Sequence, residues 1–453
     1  IAGVPTTITV ANIVSLNSVT TNPAAGQIDV DQLYLSNVAD TFEIHLTGAT
    51  AHQIGLNSHQ VTVTLTELQR VTAIAISGTP GGDNVAVVLD CKAVAFKDVA
   101  GNPTIEQTGI TVTETRDSIV PLLYSATLNL TDMGAADYGA SYLRIRGSET
   151  IDVTYVDLTK LFIVDETGDA QTALTGATVL PADGLEFTIV LTEVQRVFAL
   201  ERSGTPGGDG AAVLLDARAD AVKDIGENPN AQTDAMVVTE AIDSRDPRVI
   251  SATLTLSDGL LTITHSETVD ATPSSNVDLS KISLVETDSD SLTAGTTDGT
   301  IGGRNIPDLI GATVAPSDNP SYAMLLTADQ RDWAIRNSNT PGGDRTPNVL
   351  EIQADTLRDM GLRLLDTSLN ITVVETADTT AMTISEARLD FNNGTLSFIA
   401  TEHVRTRTGF GTGDYAASGD ILYDLEAIQL VDIAGGHDNP EDANVVDTNA
   451  YPH

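Results

Sequence analysis

The chain has 453 residues, too many for one small module and enough for three or four domains of ordinary size. Its 23 Lys and Arg against 63 Asp and Glu give a net charge of −40, which repels nucleic acid and anionic lipid over most of the surface and excludes both as expected partners. Hydrophobic residues make up 41% and charged residues 19%, a globular rather than disordered composition, and with aromatics at only 4% the cores must be built from Val, Ile, Leu and Ala. A lone cysteine, Cys91, rules out an intrachain disulfide framework and a multi-cysteine metal knuckle. No apolar run approaches the roughly 20 residues that span a bilayer, so direct membrane insertion is not expected. The chain opens Ile1-Ala-Gly-Val4 with neither Met nor a signal-peptide pattern, and the expectation is a processed product or a piece of something longer.

Internal similarity organises the chain. Leu65-Thr-Glu-Leu-Gln-Arg70 returns as Leu191-Thr-Glu-Val-Gln-Arg196 and Leu326-Thr-Ala-Asp-Gln-Arg331. Ser77-Gly-Thr-Pro-Gly-Gly-Asp83 returns at Ser203 to Asp209 and, with Asn339 for Gly, at Ser338 to Asp344. Lys97-Asp98, Lys223-Asp224 and Arg358-Asp359 keep the same phase, and so do Glu114, Glu240 and Glu375. These landmarks divide the chain into repeats over 1–120, 121–247 and 248–380, followed by a partial repeat over 381–453. The first opens irregularly, with the loose stretch from Thr6 to Val19 in place of the opening strand. In the last, Glu386-Ala-Arg-Leu389 matches Ser251-Ala-Thr-Leu254, but no Gln-Arg segment or Thr-Pro-Gly-Gly-Asp loop follows.

Within a repeat the dominant period is two. Ser125-Ala-Thr-Leu-Asn-Leu130, Tyr142-Leu-Arg-Ile-Arg146 and Phe187-Thr-Ile-Val-Leu191 are strand-forming runs bounded by Gly, Asp and Pro. About seven such runs per repeat is sandwich spacing. One segment differs: from Thr66 to Ala75, Leu68, Val71 and Ala75 fall at helical spacing. Thr66 with Gln69, Thr192 with Gln195 and Thr327 with Gln330 have the spacing of a capping box, which predicts one short helix per repeat. The Thr-Pro-Gly-Gly-Asp loop then stops it, since Pro cannot continue a helix and Gly permits φ > 0. The expected architecture is all-β: tandem sandwiches, each with one short helix, joined by short junctions without Gly/Ser runs into an elongated rod.

Two motifs carry a resemblance. Arg146-Gly-Ser-Glu-Thr-Ile-Asp152 and Leu261-Thr-Ile-Thr-His-Ser-Glu-Thr-Val-Asp270 are similar to a strand ending in Ser-Glu-x-Val-Asp, and Val94-Ala-Phe-Lys-Asp-Val-Ala-Gly-Asn-Pro103 to a strand end in Lys-Asp-x-Ala-Gly-Asn-Pro. The second repeat keeps the latter as Val222-Lys-Asp-Ile-Gly-Glu-Asn-Pro229, and the third degrades it to Leu357-Arg-Asp-Met-Gly361. In these motifs the chain resembles the bacterial Ig-like domain arrays of secreted and surface-layer proteins, with similar repeats in algal and protist surface proteins. The resemblance implies an Ig-like fold and an extracellular, non-catalytic, load-carrying or adhesive role, with no particular ligand.

Catalytic signals are sparse. Among the 7 histidines, His45, His52 and His59 invite a zinc or nickel cluster, but the simpler reading puts His45 on a strand and the other two on the following loop. No nucleophile elbow, phosphate-binding Gly-rich loop with Lys-Ser/Thr, or His-Glu-x-x-His helix occurs, and an enzyme is not expected. Calcium is the better chemical candidate, because hard oxygen ligands on turns suit it. The candidate ligands are Asp83, Asp209 and Asp344 on the Gly-rich loops, and Asp98 with Asn102 or Asp224 with Asn228 at the strand-end turn. Asp and Asn also favour turns by bonding their own backbone, which is the competing reading. The junction acids Glu114, Asp117, Glu240 and Asp243 are a second calcium possibility, against solvated linker charge.

Arg70, Arg196 and Arg331 read as structural partners of nearby carboxylates rather than as ligand contacts. Asn129, Asn370 and Asn393 head Asn-x-Ser/Thr sequons, Asn393 being the most accessible on its Asn-Gly turn. Cys91 and Trp333 are expected in cores, Cys91 because Ala217 takes its place in the second repeat. The leading functional expectation is a structural subunit of an extracellular filament, flagellar hair, sheath or surface layer that self-associates with identical chains, with completion of the partial fourth repeat by a neighbour weighed against a chain that simply continues. The alternative is the stalk of an adhesin or glycan-binding surface protein.

Overall fold

A computed structural model describes residues 5–9, 28–39, 41–53, 60–98, 100–131, 141–286, 300–301, 304–305 and 308–402. Strands dominate, and the chain divides into two compact units. The first comprises 1–247 together with the segments 266–269 and 358–364; the second comprises 248–265, 270–357 and 365–453. Among the described residues no helix is long and apolar enough to cross a membrane. The Thr6-to-Val19 stretch lies outside the described residues beyond strand Pro5–Thr9, as does the fourth repeat beyond residue 402.

The second repeat, in the first unit, shows the strand logic most fully. Leu123–Asn129 alternates, burying Leu123, Ala126 and Leu128. It pairs antiparallel with Tyr142–Asp152, which pairs in turn with Gly184–Val190. A second set of strands, Gln171–Ala173, Leu161–Val164 and Leu214–Ala217, is joined to the first by one shared strand, Thr233–Ala241. That strand pairs antiparallel with Leu214–Ala217 early on (Leu214 opposite Val237) and parallel with Leu123–Asn129 later (Ala126 opposite Val238). Ile145 and Phe187 from one set and Ile163 and Leu215 from the other meet in a single apolar cluster. Val, Ile and Leu at every second position are what a half-buried strand requires.

The third repeat has the same shared strand, while the described strands of the first form two separate sheets. In the third, Ser368–Thr376 pairs antiparallel with Asn348–Ile352 and parallel with Val249–Thr255. In the first, Leu33–Ser36 lies between Glu43–His45 and Val88–Cys91, while Gln60–Thr64 lies between Pro5–Thr9 and Thr50–Gln53, and both groups feed one core. His52 therefore stands on a strand rather than on the expected loop, and His59 lies outside the described residues. Cys91 is buried as expected, opposite Leu33, and Ala217 is fully buried at its counterpart.

Each of these repeats carries the short helix: α1 (Glu67–Ala75), α2 (Glu193–Glu201) and α3 (Ala328–Arg336). All three open on a complete capping box, the threonine hydroxyl accepting from the glutamine N–H and the glutamine Oε1 accepting from the threonine N–H. In α1 the face turned inward is not the stripe of Leu68, Val71 and Ala75, and in α2 the capping glutamine and arginine share the inward face with Ala199 and Leu200. Leu68 is 74% and Val194 78% exposed, whereas Gln69, Arg70, Gln195 and Arg196 are buried. The reason is hydrogen bonding: Gln69 Nε2 donates to the His45 and Thr47 carbonyls at 2.8 and 2.9 Å, and Gln195 and Gln330 repeat this on Ala173/Thr175 and Asp308/Ile310. An otherwise orphaned pair of loop carbonyls is worth more to satisfy than a leucine is to bury.

Candidate metal centre

The buried arginine that follows each capping glutamine organises a carboxylate cluster. Arg70 Nη2 and Nε clasp Glu67 one turn back on α1, Nη1 donates to Asp117 at 2.6 Å, and Nη2 also reaches Glu149 at 3.0 Å. Arg196 does the same with Glu193, with Asp243 at 2.9 Å and with Glu267 at 3.2 Å, its own side chain being 1% exposed. Arg331 reaches Asp378 at 2.5 Å and Glu402 at 3.2 Å, with Ala328 where the helical glutamate would stand. The arginine and the linker aspartate lie 47 residues apart in all three cases. The expected structural role of these arginines is thus visible in its partners.

The remaining glutamate comes from the Ser-Glu-Thr motif, where strand alternation breaks. Glu149, Thr150 and Ile151 are all buried, and so are Glu267, Thr268 and Val269. One face of the strand packs on its own core while the other is covered by the preceding repeat's helix: the Thr150 N–H donates to Glu67 at 2.9 Å and the Thr268 N–H to Glu193 at 2.8 Å.

A fourth carboxylate completes two of the clusters. Asp117, Glu149 and Asp224 bring one oxygen each to within 4.8 Å of one another, and Asp243, Glu267 and Asp359 do likewise. Both triads lie wholly within the first compact unit, since 266–269 and 358–364 belong to it. Asp224 sits at a turn closed by its own Asn228, whose N–H and Nδ2 it accepts at 2.8 and 3.0 Å. Asp359 accepts from the Arg363 N–H at 2.8 Å. Glycine follows two residues on: a Cβ on Gly226 would lie 2.8 Å from Asp117 Cβ, and one on Gly361 3.1 Å from Asp243 Cβ, so a bare Cα is what lets the linker aspartate approach.

The electrostatics follow from burial. Glu67 and Glu193 would be raised by burial, but the arginine and the strand N–H outweigh it and hold both below the ordinary range. Glu149 is pushed up to about 7 by burial and by the charge of Asp224. Glu267 rises to about 9, by burial first and then by Asp243 and Asp359, against the pull of Arg196. Asp359 rises to about 7, and Asp224 and Asp243 are also raised, burial being the main cause in each. Three acids facing one another out of water disfavour full ionisation.

Of the sequence candidates for calcium, Asp224 is brought into a triad and the others are not. Asp83, Asp209 and Asp344 each accept from the N–H two residues on, at 2.9 Å, as turn residues do. Asp98 accepts from the Asn102 N–H and Nδ2 in the counterpart of the Asp224–Asn228 turn, is half-buried, and belongs to no such group of three acids among the described residues. Of the junction acids, Asp117 and Asp243 join the triads. Glu114 and Glu240 do not: each accepts from two backbone N–H groups that frame the Gly-rich loop, at Gly78 and Val87 and at Gly204 and Val213. Asp359 was visible in the sequence only as a repeat landmark, and Glu149 and Glu267 only as part of the Ser-Glu-Thr motif.

The sequon residues are placed individually. Asn129 is half-buried on its strand, whereas Asn370 and Asn393 are exposed, Asn393 on the turn after Ile384–Asp390. His45 is exposed and edge-on to Tyr34. Trp333 is half-buried on α3.

No protein-family model matches the chain, and no curated protein matches it in sequence.

Proposed function

We propose that this chain is a structural subunit of an extracellular assembly, a filament, flagellar hair, sheath or surface layer, made of tandem Ig-like β-sandwiches and associating with identical chains. The observation that carries the reading is the repeated junction lock. Each arginine at the head of a helix holds the aspartate of the linker that follows its repeat and a glutamate from the next repeat, on its second strand for Glu149 and Glu267 and just past it for Glu402. Conserving that lock at three successive junctions is a device for transmitting load from repeat to repeat. A buried ion pair is poor at adding stability but good at fixing one arrangement. The acidic surface keeps such chains apart except at a dedicated contact.

The test is electron microscopy of the purified full chain by negative stain, with sedimentation over a range of concentrations. Regular filaments or sheets support the reading. Monodisperse single chains up to about 100 μM overturn self-association and move the assignment to the alternative, a spacer stalk carrying an adhesive or glycan-binding module.

A further inference from the structure

We propose that the triads Asp117/Glu149/Asp224 and Asp243/Glu267/Asp359 are calcium sites, one at each of the first two junctions. This goes beyond the assembly reading and stands or falls separately from it.

Four observations carry it. The first is unmet bonding: Glu267 and Asp359 are 0% exposed, and Glu267 Oε1 and Asp359 Oδ2 have no hydrogen-bond partner, Glu267 Oε2 having only its ion pair with Arg196; at the other triad Glu149, 7% exposed, leaves Oε1 unpartnered. A buried oxygen without a donor implies an occupant that supplies one. The second is charge. Each cluster sets four carboxylates, Glu67, Asp117, Glu149 and Asp224 or Glu193, Asp243, Glu267 and Asp359, against one guanidinium. Arg363, a further cation near Asp243, is engaged with Asp246 at 2.6 Å.

The third is spacing and donor type. One oxygen from each acid lies within 4.8 Å of the other two, close enough for a single ion to touch all three, and hard carboxylate oxygens without an imidazole or thiolate are the donors calcium takes. The donor set is all carboxylate, which disfavours zinc. The fourth is recurrence with a control: the equivalent Lys-Asp turn in the first repeat, at Asp98, is part of no group of three acids among the described residues.

The competing occupant is a proton shared between acids. The two make opposite predictions, and calorimetric titration and equilibrium dialysis of the intact chain, first stripped with chelator, separate them. Calcium occupancy gives about two ions bound per chain and a melting midpoint raised by about 5 °C in millimolar calcium. Glu267→Gln then removes one ion and Glu149→Gln the other, each lowering the calcium-induced shift, whereas Asp98→Asn leaves both in place. If the triads hold protons, the stripped chain binds no calcium at about 5 mM, its midpoint does not move, and Glu267→Gln, which mimics the protonated acid, melts like the parent; that set of results overturns the proposal. Should Glu267→Gln fail to fold, the stoichiometry of the unaltered chain and of Glu149→Gln still decides the matter, one ion lost supporting the sites and no change refuting them.

Discussion

Arg196 Nη1 and Asp243 Oδ2 meet at 2.9 Å with their side chains 1% and 2% exposed, although 47 residues separate them in the chain. A guanidinium so fully removed from water is tolerable only while its carboxylates stay in place, and the reverse is equally true. The lock is therefore mutual, and its parts cannot be withdrawn one at a time.

Arg196→Met should accordingly destabilise by about 3–5 kcal/mol, since Asp243 would be left buried without its guanidinium and Glu193 without the partner that keeps it ionised. Arg331→Met, at a junction where the arginine side chain is 16% and its Asp378 partner 18% exposed, should cost less, about 1–2 kcal/mol. Calorimetric unfolding of the two variants side by side gives the comparison, and equal losses would show that burial does not set the strength of the lock.

The inward face of the helices makes a second prediction. Gln195→Ala removes three side-chain hydrogen bonds, to the Thr192 N–H and to the Ala173 and Thr175 carbonyls, and should cost about 2–3 kcal/mol. Val194→Ala, one residue away and 78% exposed, should stay within about 0.5 kcal/mol. Denaturant melts of this pair test a ranking opposite to the one hydrophobicity alone would suggest.

The Gly-rich loops predict a third contrast. Gly81 and Gly207 have φ of +86° and +92°, and a Cβ on them would lie 1.9 Å from the Ile225 carbonyl and 2.0 Å from the Met360 carbonyl. Each loop thus abuts the Asp-containing turn of the following repeat. Gly342, at φ +97°, has nothing nearer than 3.6 Å. Alanine at Gly342 should carry only the left-handed backbone penalty, about 1–2 kcal/mol, while alanine at Gly81 or Gly207 should add a displaced neighbour and cost at least about 2 kcal/mol more. Thermal midpoints of the three variants are the measurement.

His265 supplies a pH dependence. Burial lowers it from 6.5 to about 4, its ring stacked on Tyr322 with centroids 5.4 Å apart. As pH falls through 6.5 the unfolded chain takes up this proton, but the folded chain stays neutral until about 4. The contribution is therefore complete above pH 6.5 and is lost down to pH 4, by about 3 kcal/mol at most. His265→Phe should lack this loss. The difference in stability between parent and variant, measured in chelator at pH 7 and at pH 4.5, cancels the slopes of all other groups; a difference that does not change with pH would show that His265 titrates normally.

The helices and their caps were legible because a capping box is local: threonine and glutamine three residues apart declare both ends of the bond. Which face would be buried was not, because Gln69 and Gln195 are drawn inward by carbonyls contributed from some twenty residues upstream, and periodicity counts only apolar side chains. The triads were harder still. Their acids come from a linker, from a strand and from a strand-end turn, and with 63 acidic residues in the chain no pairing stood out. The available signal was recurrence: Asp117, Glu149 and Asp224 answer to Asp243, Glu267 and Asp359 motif by motif. Read as alignment landmarks, those positions marked the repeats; read as side chains, they mark what the repeats share at each junction.

The glycine after each strand-end aspartate has one more consequence. Gly226 and Gly361 stand where the first repeat has Ala100, and only beside Gly226 and Gly361 does a linker aspartate approach closely among the described residues. A first repeat copied into the second position would thrust a methyl group into the space that Asp117 fills. The repeats are consequently not interchangeable beads. By this measure the second and third repeats are alike, each with a bare Cα where a linker aspartate packs, and the first, with Ala100, is the one that could not take their place.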